Sequence, residues 1–278
     1  MFHEVSRGSM GRALRFGTVI GSGALFCAPT THATTIYATG FEAPVFTAGQ
    51  LIAGQDGWTS RFGSPTGTVS TNNPHSGLQD LELRFDQLPI FGFGFNLDTV
   101  RPLLAYDVVG NGTPVVNLSV QARLDGPLLG LDVVEAIFSA IDSDFNSFGE
   151  MQISADGHLY VYGSRFVDAL VADVTLGVYH TLAMSIDFVN RATSFSIDGT
   201  SLVTFAFDDA LQSTIFQAGS LHAAAPTDPA LADAAQYTAY FDNYSITAVP
   251  EPGMWSSLLL GIALIASRAR RRETRDVS

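Results

Sequence analysis

The sequence predicts an all-β protein whose antiparallel strands form a sandwich or jelly roll. Apolar and polar residues alternate with a period of two over many short segments, which is typical of strands that bury one face. Turn sequences separate those segments, and only two short segments could pass for helix. Many short strands joined by glycine-rich turns are typical of sandwiches and jelly rolls.

Three segments show the alternation most clearly. Their apolar residues are predicted to face the core, and the residues between them, such as Asp80, Glu82 and Arg84 in the first segment, to face solvent. The predicted inward residues are Leu81, Leu83 and Phe85; Val116, Leu118, Val120, Ala122 and Leu124; and Leu182, Met184, Ile186 and Phe188.

Short turn sequences at 155–157, 189–191 and 197–199 are predicted to join neighbouring strands into hairpins. The two segments with some helical character are 133–141 and 229–235. The first is better interpreted as a strand because it is rich in valine, isoleucine and phenylalanine. The second is predicted to be a short alanine-rich turn or loop.

Four stretches resemble the concanavalin A-like, laminin-G-like jelly roll. They are TGFEAPVFTAGQLIAGQDGW at 39–58, GEMQISADGHLYVYG at 149–163, the long hairpin at 179–207, and YFDNYSIT at 240–247. The opening stretch is also similar to that of secreted bacterial jelly rolls, including carbohydrate-binding modules. The resemblance implies a concanavalin A-like fold over residues 34–249, with a galactose-binding-like jelly roll as the alternative.

The C-terminal segment joins a proline-rich motif to a short apolar stretch and a basic tail. The apolar stretch at 254–267 corresponds to a helix of about 20 Å, too short for a hydrocarbon core of about 30 Å. The motif is Pro250, Glu251 and Pro252, where the prolines keep the backbone out of helix. The basic tail contains Arg268, Arg270, Arg271 and Arg272.

This order of features resembles the PEP-CTERM sorting signal of Gram-negative bacteria, and it covers residues 250–278. The resemblance implies that the chain enters the cytoplasmic membrane briefly through the apolar helix, with the arginines on the cytoplasmic side. It also implies cleavage at the Pro-Glu-Pro motif by the membrane protease exosortase, followed by release to the cell surface or extracellular matrix.

The N-terminal segment, 1–33, is predicted to be a signal peptide cleaved by signal peptidase after Ala33. Three arginines precede an apolar stretch at 16–28, and small residues lie at the predicted cleavage site. The only cysteine, Cys27, lies within this segment, and the bulky Phe26 before it argues against a lipoprotein. Residues 34–249 therefore contain no cysteine and no disulfide framework.

The charge of residues 34–249 excludes one class of partner. Six arginines and no lysine stand against 23 acidic residues, which gives a net charge near −17. Nucleic-acid binding is excluded because no basic patch could neutralise phosphates. The acidity indicates solubility outside the cell, or carboxylates gathered around calcium.

No recognised catalytic motif occurs in the chain. The Glu-x-Asp-x-x-Glu spacing of many jelly-roll glycoside hydrolases is absent, as are zinc-binding histidine spacings and Gly-x-Ser-x-Gly. The four histidines of this region are scattered and are predicted to lie in loops or at the surface. The sequence therefore predicts a protein that is not an enzyme.

Two other features have a functional and a structural interpretation. Asp142, Asp144 and Asn146 are spaced like the start of a calcium loop, but the pattern then fails, so a polar loop between strands is expected. Trp58, Tyr160 and Tyr162 could stack on sugar rings, and packing in the core explains them equally well. Both interpretations remain open at this point.

A structural calcium ion is implied by the resemblance to carbohydrate-binding modules. Glu42 follows Gly40 and Phe41 on the first predicted strand, and Asp242 follows Tyr240 and Phe241 on the last one. The terminal strands of jelly rolls usually lie side by side, so these two carboxylates are expected to approach each other.

The resulting functional prediction is an exported, exosortase-sorted, non-catalytic protein that binds or organises surface exopolysaccharide. Exosortase-type sorting is associated with bacteria that make exopolysaccharide, which agrees with a lectin-like fold. The alternative is a secreted glycan-active enzyme, a glycoside hydrolase or lyase, with an unrecognised carboxylate pair.

Overall fold

The computed structural model describes residues 33–60, 67–88, 95–102, 104–130, 132–164, 168–228, 233 and 236–250. The predicted signal peptide up to residue 32, most of the predicted loop at 229–235 and the sorting signal from Glu251 onward lie outside the described residues. Among the described residues, no helix has the length and apolar character needed to cross a membrane.

The described residues form seventeen β-strands and one short 3₁₀ turn at Phe85–Gln87. The strands of the N-terminal half are β1 (Thr34–Thr39), β2 (Trp58–Ser60), β3 (Thr68–Ser70), β4 (Asp80–Arg84), β5 (Phe95–Pro102), β6 (Tyr106–Asp107), β7 (Val115–Asp125) and β8 (Glu135–Ile141). The remaining strands are β9 (Ser147–Ser154), β10 (His158–Gly163), β11 (Asp168–Asp173), β12 (His180–Asp187), β13 (Ala192–Ile197), β14 (Thr200–Ala206), β15 (Ile215–Phe216), β16 (Ala218–Pro226) and β17 (Thr238–Val249).

These strands form two large sheets and a two-stranded ribbon of β6 and β15. The eight-stranded sheet has the order β14-β13-β12-β7-β17-β4-β3, with β1 also paired to β17. The seven-stranded sheet has the order β11-β10-β9-β8-β16-β5-β2. Every pairing between the described strands is antiparallel, which confirms the predicted all-β antiparallel class.

The local predictions agree with this architecture. The turns at 155–157, 189–191 and 197–199 join β9 to β10, β12 to β13 and β13 to β14. In β7 the side chains are alternately buried and partly exposed along the whole strand. The segment at 133–141 contains β8, so the choice of strand over helix is confirmed.

The core lies between the two large sheets and has an aromatic centre. Trp58 is fully buried, and its indole N–H donates to the hydroxyl of Tyr37 at 2.7 Å. Its ring packs edge-on against Tyr244 with ring centroids 5.5 Å apart, and the Tyr244 hydroxyl donates to the carbonyl of Gly219 at 2.8 Å. Trp58 is therefore a core residue, and the interpretation of Trp58 as a sugar-stacking residue is wrong.

The predicted burial pattern is wrong for the polar residues of β4. Leu81 and Leu83 lie in the core as predicted, but Asp80 is fully buried and Glu82 is 8% exposed. Their side chains lie on the outer side of the sheet, where the loop before β4 covers them and Asn72 donates to Glu82 Oε2 at 2.7 Å. Strict alternation therefore gives the direction of a side chain, while a loop outside the alternating segment decides its exposure.

Candidate functional site

The outer face of the seven-stranded sheet carries tyrosines on β10. Leu159 and Val161 point into the core, so alternation places His158, Tyr160 and Tyr162 on the opposite face. These three side chains are partly exposed. Two aromatic rings therefore lie on the same face and two residues apart on one strand.

The two central strands add carboxyl, amide and hydroxyl groups to the same face. Phe138 of β8 and Met151 of β9 lie in the core. Tyr162, Glu150 and Ser139 are consecutive partners across β10, β9 and β8, so they form one row on the outer side. Glu135 and Gln152 point in the same direction because they are separated from that row by an even number of residues.

Strands β16 and β5 add a hydroxyl, an imidazole and a guanidinium group to this face. Leu221 of β16 lies in the core, so Ser220 and His222 on either side of it face outward. Pro102 of β5 pairs with the buried Trp58 and therefore faces the core. Its neighbour Arg101 faces outward as a result. We call this side of the sheet the ionisable face, and it consists of Arg101, Glu135, Ser139, Glu150, Gln152, His158, Tyr160, Tyr162, Ser220 and His222. Arg101, Ser139, Gln152 and Ser220 are buried, whereas the other six side chains are partly exposed.

Several side chains of the ionisable face hold one another in place. The amide of Gln152 donates to Glu150 Oε1 at 2.6 Å. Ser139 Oγ and His222 Nε2 share a hydrogen bond of 2.7 Å across the β8–β16 pair. The Tyr160 hydroxyl donates to Asp156 Oδ2 at 2.6 Å, which fixes the ring at the edge of the face.

The two glutamates of this face have unusual acidities. Burial, with a smaller contribution from the negative charge of Glu150, raises the pKa of Glu135 to about 8. Burial also raises the pKa of Glu150, while the hydrogen bond from Gln152 opposes that shift. Perturbed carboxyl groups gathered on one surface are characteristic of functional sites as well as of some structural networks.

Glu42 and Asp242, the two predicted calcium ligands, lie against the same loop at 75–79. Glu42 Oε1 accepts the backbone N–H groups of Leu78 at 2.7 Å and Gln79 at 3.0 Å. Asp242 Oδ2 accepts the N–H of Ser76 at 2.9 Å. We call this arrangement, in which both carboxylates hold the loop, the latch.

The position of Glu42 differs from the prediction in one respect. The strand β1 ends at Thr39, and Phe41 has a φ of 60°, so Glu42 lies beyond the strand rather than on it. Asp242 lies within β17, which pairs with β1. A left-handed residue ends the extended path of the chain and turns Glu42 toward the loop.

A second buried acid lies beside the latch. Asp80 has a pKa raised to about 6, mainly by burial, with smaller contributions from the charges of Glu82 and Asp242. The Tyr179 hydroxyl donates to the carbonyl of Asn73 at 2.8 Å and closes this region. Within the described ranges, no group of three or more histidine, cysteine, aspartate or glutamate side chains is arranged to hold a metal ion.

On the outer side of the eight-stranded sheet, the region away from Asp80 and Glu82 is chemically different. A groove of about 430 Å³ crosses β17, β7, β12 and β13. Its outward residues are small and mostly carry hydroxyl groups. We call it the hydroxyl groove, and its floor includes Asn117, Ser119, Ser185, Ser194, Ser196 and Thr247.

Sequence reasoning found the tyrosines of the ionisable face but missed most of its other residues. Arg101, Ser139, Glu150 and His222 come from four strands that are distant in sequence. His222, predicted to be a loop or surface residue, lies on a central strand and bonds to Ser139. Of the sorting motif, only Pro250 is described, and the other residues of that motif and the basic tail lie outside the described residues.

Solved structures with a similar fold exist, although sequence comparison finds no relative. No family model matches the chain, and no curated protein matches it. A carbohydrate esterase from the Shiga toxin-encoding bacteriophage phi24B aligns at a TM-score of 0.50 and 13% identity, over 79% of this chain and 100% of that one. The carbohydrate recognition domain of Emp47p aligns at a TM-score of 0.50 and 8% identity, over 78% of this chain and 96% of that one.

A sialidase aligns at a TM-score of 0.45 and 12% identity, over 77% of this chain but only 18% of the sialidase. The chain thus spans about a fifth of that enzyme. The esterase and the recognition domain are jelly-roll proteins, and at these identities the likeness concerns the fold alone. The chain therefore shares the jelly-roll architecture.

Proposed function

We propose that residues 34–249 form an extracellular domain that binds polysaccharide through the ionisable face, without catalysing a reaction. The observation that carries this proposal is the row of tyrosine, carboxyl, amide, hydroxyl and imidazole groups across one sheet. Sugars offer hydroxyl groups for hydrogen bonding and an apolar ring face for contact with aromatic rings. Tyr160 and Tyr162 supply rings, and the partly exposed Glu150 and His222 supply hydrogen-bonding groups on the same face.

The fold is compatible with this proposal. An Emp47p carbohydrate recognition domain has the same architecture, so the scaffold is compatible with sugar binding. The concanavalin A-like form of the jelly roll, rather than the galactose-binding-like form, is part of the proposal. Two sheets of seven and eight strands among the described residues support that choice.

The cellular route is also proposed. A signal peptide over 1–33 would direct export, and signal peptidase would remove it. The Pro-Glu-Pro motif at 250–252, the apolar helix at 254–267 and the arginine tail would then direct exosortase to release the protein to the cell surface or extracellular matrix. Replacing Pro250, Glu251 and Pro252 with alanine should leave uncleaved protein in the cytoplasmic membrane of its host, whereas normal processing would contradict this route.

The latch is proposed to hold a structural calcium ion through Glu42 and Asp242. Two carboxylates at one loop and the buried Asp80 beside them give a concentration of negative charge that a divalent cation would neutralise. Asp80 Oδ1 is buried and has no hydrogen-bond partner among the described residues. Backbone carbonyl oxygens would supply the other ligands, since calcium takes six to eight oxygen atoms.

A glycan-active enzyme is the second candidate function. The observation that favours it is the pair of glutamates on neighbouring strands, since Glu135 has a pKa of about 8 and is coupled to Glu150. Glycoside hydrolysis uses two carboxyl groups, one of which is kept protonated by its surroundings. The bacteriophage protein with a similar fold is named as a carbohydrate esterase, so the scaffold is compatible with catalysis.

One experiment separates the two functions. The purified protein is screened against immobilised polysaccharides, and each retained polysaccharide is then incubated with it and assayed for shortened chains, unsaturated ends and released acyl groups. Retention without product supports the binding function. Product that disappears in Glu135→Gln supports the enzyme, and failure to retain any polysaccharide contradicts both.

A further inference from the structure

The turn between β8 and β9 presents an aromatic side chain beside the ionisable face. Phe145 is 41% exposed and has a φ of 66°. Left-handed backbone is uncommon for residues other than glycine, asparagine and aspartate, and it costs conformational energy for a bulky side chain. Phe145 thus combines an unfavourable backbone conformation with an unfavourable exposure of apolar surface.

Asp142 imposes this conformation. Its side chain is only 1% exposed, and its Oδ1 accepts the backbone N–H groups of Asp144 and Asn146, each at 2.8 Å. Its Oδ2 accepts the side-chain amide of Asn146 at 3.0 Å. The carboxylate that resembled the start of a calcium loop therefore organises the turn and holds Phe145 outward.

The ring of Phe145 is also tied to the ionisable face. The guanidinium carbon of Arg101 lies 4.5 Å from the ring centroid, within the range of a cation–π contact. Arg101 is 6% exposed and belongs to the outward row of β5, so it fixes the ring at the margin of that face. Conformational strain that the surrounding structure maintains is concentrated at binding and catalytic sites.

We propose that Phe145 is a binding residue that stacks against a sugar ring of the polysaccharide held on the ionisable face. This inference rests on the proposed function and assigns that site a residue outside the strands. A pyranose ring presents an apolar surface of C–H groups, which suits a rigid phenyl ring whose orientation is already fixed. The tyrosines of β10 and the ring of Phe145 would then contact different sugar units of one chain.

The test compares four proteins for retention on the polysaccharide that binds best to the wild type. Phe145→Gly should weaken binding about tenfold, as expected for loss of an interface residue of this size. Phe145→Trp should bind within about threefold of the wild type because it restores an aromatic surface. Val189→Ala, at a turn residue that is 60% exposed and apolar, is the control and should bind normally.

Thermal melting distinguishes a binding role from a structural one. Glycine accepts the left-handed conformation without strain, so Phe145→Gly should melt at the same temperature as the wild type or higher. A lower melting temperature together with weaker binding would overturn the proposal, because Phe145 would then be a packing residue. Unchanged binding in Phe145→Gly would also overturn it while leaving the proposed function intact, whereas a wild type that binds no polysaccharide would remove both.

Discussion

The two outer faces of the sandwich obey the same alternation but carry different chemistry. In the hydroxyl groove of the eight-stranded sheet, serine, threonine and asparagine fill the outward positions, and Ser119 and Ser245 bond to each other at 2.8 Å. In the ionisable face of the seven-stranded sheet, the corresponding positions include glutamates, tyrosines, two histidines and an arginine. A fold requires only that outward residues tolerate water, so small hydroxyl residues are sufficient.

The ionisable face therefore carries charged and aromatic groups beyond what an outward sheet face requires. Burial of Glu135 raises its pKa to about 8, which means that its ionised form is destabilised in the folded protein. The carboxylates of the latch, by contrast, accept backbone N–H groups and join a loop to β17 and to the segment that follows β1. Burial raises the pKa of Asp242 as well, so its ionised form also has a cost, but its carboxylate holds a loop in place through backbone N–H groups.

Calcium should have the largest effect on stability, and it should act only through the latch. At 100 times its dissociation constant, a bound ion would stabilise the folded protein by about 2.7 kcal/mol. The melting temperature of the wild type should rise with calcium, and that of Glu42→Ala and Asp242→Ala should stay constant. An equal response in all three proteins would place the ion elsewhere, with Asp142 and Asp144 as the next residues to test.

Removal of Asp242 should destabilise the fold even in a chelator. Asp242→Ala leaves the backbone N–H groups of Ser76 and Asn243 without their acceptor, which costs about 1–3 kcal/mol. Urea unfolding of the wild type and the variant at one pH measures this difference. Asp242→Asn keeps an acceptor oxygen and should lose less, so equal losses in both variants would argue against the hydrogen-bonding role.

Glu135→Gln should have the opposite effect and increase the free energy of unfolding at pH 8. The pKa of Glu135 is about 8 in the folded protein against 4.5 for an unperturbed glutamate, so the folded state binds the proton more tightly. The free energy of unfolding should therefore fall as the pH rises from about 4.5 to about 8. The variant removes this dependence and should be more stable than the wild type at pH 8 by about 1 kcal/mol or more, since one pKa unit corresponds to about 1.4 kcal/mol.

Unfolding curves of both proteins at pH 5 and pH 8 check this prediction. The two proteins should differ more at pH 8 than at pH 5. A wild type that loses no stability relative to the variant over this range would show that Glu135 ionises normally. The proposed contrast between the latch and the ionisable face would then be lost.

The smallest effect is expected in the hydroxyl groove. Replacing both Ser119 and Ser245 with alanine removes the two partners of one partly buried hydrogen bond, so no unsatisfied group is left behind. The free energy of unfolding should change by less than about 0.5 kcal/mol. A loss above about 1 kcal/mol would mean that the groove is a structural element rather than a tolerant surface.

The sequence was sufficient to predict several of the strands but not their assembly into a site. The alternation at 116–124 and 182–188 reports which side of a strand meets the core, and the structure confirms it because one face of each strand is buried. The short turns identify hairpins because they depend on local residues alone. Asp80 escaped prediction because its burial depends on a loop and on Tyr179, which lies about a hundred residues away.

The ionisable face could not be predicted either, because its residues are distant from one another in sequence. Ser139 and His222 are separated by 83 residues, and neither belongs to a recognisable motif. Only the register of β8 with β16 brings them together. The turn at 142–146 was identified as polar, but the left-handed conformation of Phe145 follows from hydrogen bonds to Asp142 that residue types alone do not specify.

The most direct test compares sugar binding after matched changes on the two outer faces. One variant combines Tyr160→Ala with Tyr162→Ala on the ionisable face, and the other combines Ser119→Ala with Ser185→Ala in the hydroxyl groove. Affinity for the best-retained polysaccharide is measured for both variants, with melting temperatures to confirm folding. We predict that affinity falls at least about tenfold in the tyrosine variant and does not change in the serine variant. Normal binding by the tyrosine variant, with loss in the serine variant, would contradict this prediction and assign the site to the hydroxyl groove.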